Sequence, residues 1–511
     1  MKNILFLLPA ICLLLSCRKS DSSSMTLRDR YEKPGIDSVY LEIQNSIVKK
    51  GSFEWASLSP SLLWAAIQKS NGIVAVGYQT PGNSYRENQL HLIDIGEGNW
   101  LRTKQYLINE IVQIEQAFSP SLQQEDLVPW EEAILPVFNI VIKNPRSLTY
   151  LLSSPLVRYV EPMGYDQFLF SAAQERSSGC NPNLPTRGLM AGVHYGVVAP
   201  NAKASWNYPA HGILDAWRYV SGKGIKVFLI DTGIGYGQEG LGANFNQGFS
   251  GARTLERLVT LPRQRFLGII NVGPPETPED RCGHGTAMAG VLAAPRGTSG
   301  NMVGIAYNTD LVTCRAAADV FIDEAREVKG VSDAFTMAAR RADVKVISMS
   351  MGRITVSSQI RDAIQYAHAK GKLIFCAAGT SFSFTANWAG VIFPATLPEV
   401  QAVTGVKQFT NFEACSHCHS GPEVDFVVEM ERAGDATFPL TVSDRGNEPS
   451  TIGGSSVATA SMAAMTALVW SRYPSYTRDQ ILTLLERYST YYPQRDSRWG
   501  WGKFQPVLAV D

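Results

Sequence analysis

The chain has 511 residues, 45% of them apolar, with 46 basic and 46 acidic side chains. That length suffices for two or three domains, and the composition for a sizeable packed core. The charge balance offers no basic excess for a nucleic-acid partner. No segment beyond the N-terminus has about 18 uninterrupted apolar residues, so no membrane-spanning helix is expected.

Residues 1–16 read as a targeting segment. Lys2 supplies the leading charge, and residues 4–15 form an apolar core too short for a permanent span. Leu14-Leu15-Ser16-Cys17 resembles a bacterial lipobox. The resemblance implies cleavage before Cys17, lipidation of that residue and anchoring in the bacterial cell envelope, facing the periplasm or the exterior unless maturation releases the chain. Residues 17–30 would be a polar tether.

Apolar spacing predicts helices over 41–49, 59–68, 101–118 and 144–153, and strands over 72–78, 138–142 and 157–160. Residues 31–163 thus read as a small α+β domain. Its last passage, a strand, a helix and a strand closing on Tyr159-Val160-Glu161, resembles the end of a subtilisin-type propeptide. The resemblance implies that this domain inhibits the rest of the chain or helps it to fold. Residues 164–200 are a linker by composition, and 174–188 lack periodicity.

From 201 to 511 strands and helices alternate. Strands are predicted over 225–230, 310–316, 344–349, 372–377 and 400–406, and helices over 213–220, 285–294, 332–341 and 358–370. This is the pattern of an α/β fold, a parallel sheet with helices on both faces. Ligands of such sheets bind off the carboxyl ends of the strands. Gly453-Gly454-Ser455-Ser456, followed by small residues, reads as a buried helix entered through a glycine turn. A serine there sits where free backbone N–H groups could hold an oxyanion.

Asp231 ends an apolar strand, His284 opens a small-residue helix in Gly283-His284-Gly285-Thr286, and Ser456 follows Gly454-Ser455. Asp, His, Ser is one of the orders in which a catalytic triad recurs. Together with Val303-Gly304-Ile305-Ala306 and Ser348-Met349-Ser350-Met351-Gly352, these blocks make residues 201–511 resemble the subtilisin-like serine proteases. The resemblance implies an endopeptidase with Ser456 as nucleophile, His284 as base and Asp231 as its orienting acid, acting on peptides or proteins. It also implies that Ser350, Met351 and Gly352 wall the substrate channel by backbone pairing.

Two positions depart from the family. Where it places an Asn to donate to the oxyanion, this chain has Thr380, after Ala377-Ala378-Gly379. Thr380 and the backbone N–H of Ser456 are the candidate oxyanion donors. Ala460 stands where Pro is common. A catalytically silent, surface-anchored peptide-binding protein on the same fold is the alternative that Thr380 leaves standing.

Cys282 and Cys314 both fall near the sheet's carboxyl edge and form a candidate disulfide bracing the His284 loop. Cys415 and Cys418 form a second, local candidate, preferred over a zinc site because no comparable second pair exists. Cys376, in an apolar strand, reads as a buried free thiol. No metal or cofactor is expected. Relatives often bind calcium, but no dense Asp/Asn loop marks a site for it.

Overall fold

The computed structural model describes residues 36–82, 87–165, 180–266, 270–380, 390–409 and 411–511. The targeting segment, Cys17, the tether and residues 166–179 of the linker lie outside the described residues.

The N-terminal part is built on a three-stranded antiparallel sheet. Its central strand, Ile73–Tyr78, is buried along its whole length between Val137–Val141 and Val157–Pro162. Two of its helices start as their sequences dictate, with a serine or asparagine cap followed by proline. Ser59 accepts from Leu62 N at the head of Pro60–Lys69, and Asn144 from Arg146 N at the head of Pro145–Ser153.

The larger part holds eight parallel strands. Their order is Gly502–Lys503, Val424–Glu431, Gln401–Lys407, Leu373–Ala377, Val344–Met349, Lys226–Asp231, Asp310–Arg315 and Leu255–Val259. Alternation along each strand divides the core. In the strand ending at Asp231, Phe228 and Ile230 face one apolar cluster, and Val227 and Leu229 the other. The first cluster lies under the helices Ala325–Arg340 and Ser358–Ala369 and runs on without a break into the N-terminal part. The second lies under the helices His284–Ala293 and Ser455–Arg472. Helices on both faces of a parallel sheet are what the sequence alternation predicts.

Helix Ala325–Arg340 starts seven residues before its predicted boundary, because Gly330 disguises it. A Cβ on Gly330 would lie 2.2 Å from the carbonyl oxygen of Ala316. Only glycine lets the helix lie this close to the chain leaving the neighbouring strand.

The N-terminal part docks on these two helices through matched polar groups around the shared core. Glu161 caps the helix at Ser358, accepting from its backbone N at 2.7 Å and its hydroxyl at 2.6 Å. Asp362 receives Arg158 at 2.6 Å and the Tyr159 hydroxyl at 3.1 Å. Asn139 donates to Gln359 at 2.8 Å, and Arg353 to the carbonyl of Met163 at 3.2 Å. Every one of these partners on the larger part is buried.

Candidate active site

Three adjacent strands end on the residues that matter. Lys226–Asp231 ends on Asp231 itself, Val344–Met349 runs into Ser350, and Leu373–Ala377 runs into Gly379 and Thr380. Two helix N-termini meet this edge, and both are glycine-led. Gly283 has φ +91° and Gly454 φ +92°, values that side chains rarely tolerate. A Cβ on Gly285 would lie 2.3 Å from Gly233 O, so the His284 helix can approach the Asp231 strand end only with glycine there.

Nδ1 of His284 lies 2.7 Å from Oδ1 of Asp231, and both side chains are buried. The same Oδ1 accepts from Thr232 N at 2.8 Å. Burial by itself would lower the His284 pKa. The Asp231 charge, the hydrogen bond to it and the Asp280 and Asp319 carboxylates outweigh burial and hold the pKa above the ordinary histidine value. The geometry favours a proton on Nδ1, leaving Nε2 as the basic atom.

Asp280 was not singled out from the sequence, yet it builds the start of the His284 helix. Its Oδ1 accepts from Cys282 N and Gly283 N at 2.9 and 2.8 Å, and its Oδ2 from Thr286 N and the Thr286 hydroxyl at 2.9 and 2.6 Å. The available signal was an acidic residue just before a helix start.

Ser456 is the second residue of the helix Ser455–Arg472. Its hydroxyl donates to Ser350 O at 3.2 Å, and the Ser350 hydroxyl donates to Ser456 O at 2.8 Å. Ser456, His284 and Thr380 line one cavity of about 450 Å³. The sequence therefore named residues that the fold brings to a common space, with the Ser456 hydroxyl turned toward Ser350 rather than toward the imidazole.

The expected channel wall needs correction at Gly352. Ser350 contacts Ser456 as described, and the Met351 side chain is buried in the core shared with the N-terminal part, leaving only its backbone to face a peptide. Gly352 already has backbone partners: its N donates to Val320 O at 3.2 Å, and its O accepts from Ile322 N at 2.9 Å. A peptide could pair with Gly352 only by displacing the 320–322 segment.

The disulfide expectation also changes. Cys282 is bonded to Cys180, with the Cα atoms 4.6 Å apart, and not to Cys314. Cys314 points into the core on the N-terminal part's side of the sheet, 3.3 Å from the Thr260 hydroxyl, whereas the His284 helix packs on the opposite face. Cys415 is bonded to Cys418, and Cys314 and Cys376 are free and buried. Among the described residues, no group of three or more His, Cys, Asp or Glu is placed to hold a metal ion.

The Cys180–Cys282 bond ties a strap of chain over the site. Asn183 O accepts from Asp444 N at 2.8 Å, its side chain accepts from the Ser450 hydroxyl at 2.8 Å, and Thr186 N donates to Pro449 O at 3.1 Å. Asn181, Asn183 and Leu184 thereby line the same cavity as His284 and Ser456. Nothing in the linker's composition marked them.

Known proteins resemble this chain chiefly over its larger part. The thermostable alkaline protease of Halalkalibacterium halodurans is 31% identical over 275 residues, 54% of this chain and 64% of the relative. A subtilisin from a Bacillus sp. is 26% identical over 301 residues, 55% of this chain and 65% of the relative. The chain thus spans just under two thirds of the length of these relatives. A thermophilic serine proteinase of another Bacillus sp. is 26% identical over 349 residues, 68% of this chain and 71% of the relative. Among solved structures, the epidermin leader peptide processing serine protease of Staphylococcus aureus, crystallised as a mutant, superposes with a TM-score of 0.54 at 16% identity. The match covers 86% of this chain and 99% of that one, and the likeness is one of fold. Residues 222–502, which hold Asp231, His284, Thr380 and Ser456, match the model of the Subtilase family, and the chain belongs to that family.

Proposed function

We propose that the protein is a serine endopeptidase. The observation that carries this reading is the buried 2.7 Å contact between Asp231 and His284, opening on a cavity that Ser456 also lines. Rotation about the Ser456 Cα–Cβ bond frees its hydroxyl from Ser350 O. The oxygen then attacks the substrate carbonyl while Nε2 of His284 takes the proton. Asp231 holds the imidazole in the required tautomer and stabilises the imidazolium. The backbone N–H of Ser456, in the first turn where helix amides have no internal partner, faces the developing oxyanion together with Thr380. His284 returns the proton to the leaving amine, and water, deprotonated by the same imidazole, releases the acyl group.

The cell-envelope location, anchored by a lipid on Cys17, belongs to the same proposal. So does the role of residues 31–163 as an inhibitory or folding domain. The unbroken core and the Glu161 cap support the second role, because they make this domain a tightly docked partner. The test is hydrolysis of an unfolded protein substrate by the full chain and by Ser456→Ala. Cleavage by the parent alone supports the reading, and equal cleavage by both excludes it.

A further inference from the structure

We propose that Ser455 is a positioning residue that turns the hydroxyl proton of Thr380 toward the oxyanion. The inference rests on the peptidase reading and goes beyond it, because it assigns a direction to one hydrogen bond.

A hydroxyl has one proton to donate and two lone pairs to accept with. Ser455 Oγ is fully buried, accepts from Gly379 N at 3.2 Å and lies 3.0 Å from Thr380 Oγ1. Among the described residues, Thr380 Oγ1 is the one acceptor within hydrogen-bond distance of Ser455 Oγ. Were Thr380 the donor in this pair, the Ser455 proton would be buried without an acceptor, which is costly. The bond therefore runs from Ser455 to Thr380. Thr380 then keeps its own proton for another acceptor, and it lines the cavity that Ser456 and His284 share. Gly454 makes the approach possible, since a Cβ there would lie 3.0 Å from Thr380 Oγ1. The chain Gly379 N–H to Ser455 to Thr380 thus sets a short side chain to do what a longer amide could do unaided.

The test is a double-mutant cycle on kcat and KM for a chromogenic peptide, with a fluorophosphonate adduct counted on each variant. Losing a side-chain oxyanion donor costs about 10²–10³ in kcat, the range measured in subtilisin. Ser455→Ala is expected to lower kcat by about tenfold or more with KM unchanged, and Ser455→Thr to restore it. In a Thr380→Val background, Ser455→Ala should have no further effect on kcat. In a Thr380→Asn background, where the amide donates without help, its effect should shrink to less than about threefold. An equal loss from Ser455→Ala in all three backgrounds, or no loss in the parent, overturns the proposal. A parent that neither turns over nor forms the adduct overturns the peptidase reading and this proposal with it.

Discussion

Asp231 Oδ1 and His284 Nδ1 face each other across 2.7 Å at the point where a parallel strand ends and a glycine-led helix begins. The contact fixes which imidazole nitrogen carries the proton. Asp231→Asn would keep the shape but offer an amide in place of the charge. Held in the wrong tautomer, the ring could not accept the Ser456 proton, and the corresponding change in a serine protease triad costs about 10⁴ in kcat. Steady-state kinetics should show a loss of that order, with the thermal midpoint little changed.

The pH dependence follows from the same pair. His284 must be neutral to act as a base, and its pKa is held above the ordinary histidine value. Activity should therefore fall as pH drops through that raised pKa. The acid limb of kcat/KM should lie above about pH 6.5, the value of an unperturbed histidine. A midpoint below that would contradict the assigned environment.

Glu161 gives a pH dependence of the opposite kind. Burial, opposed by the hydrogen bonds from Ser358 and by Arg361 but assisted by Glu54, raises its pKa to about 7. The docked form then holds a proton that an undocked glutamic acid has already lost. The resulting stabilisation is complete below the ordinary carboxyl pKa and is lost as pH rises through about 7. The slope is at most about 1.4 kcal/mol per pH unit for one proton. Thermal unfolding of the full chain between about pH 5 and pH 8 should show this decline, and Glu161→Gln should flatten it.

The Cys180–Cys282 bond closes a loop of 102 residues and pins the strap to the His284 loop. Disulfides of this kind typically contribute about 2–4 kcal/mol, chiefly by restricting the unfolded chain. Cys180→Ser with Cys282→Ser should lower the thermal midpoint by several degrees. It should raise KM for peptide substrates more than it lowers kcat, because the strap lines the cavity while the hydrogen bond between Asp231 and His284 is made without it. A change in kcat alone would place the strap's influence on the chemistry instead.

Much of this arrangement was legible in the sequence because it is written in local patterns. The strands that end on Asp231 and run into Ser350 are short apolar runs, and the helices opening at His284 and Ser455 begin with glycine and small residues. The strand Val424–Glu431 escaped because its charged residues look like loop. In the fold Asp425 meets Arg495 and Glu429 meets Lys503, so the charges are paired along the sheet edge. The partner of Cys282 was unreadable for a different reason. Cys180 returns to it from a linker without periodicity, and such a meeting depends on the whole fold. The pairing of Gly352 with Val320 and Ile322 is likewise a contact between separate loops.

Ser456 as the nucleophile is most directly tested by intact mass after treatment with a fluorophosphonate. The account predicts one adduct per chain, mapped to Ser456, absent in Ser456→Ala and formed far more slowly in His284→Ala. An adduct on another residue, or labelling that survives Ser456→Ala, would contradict it.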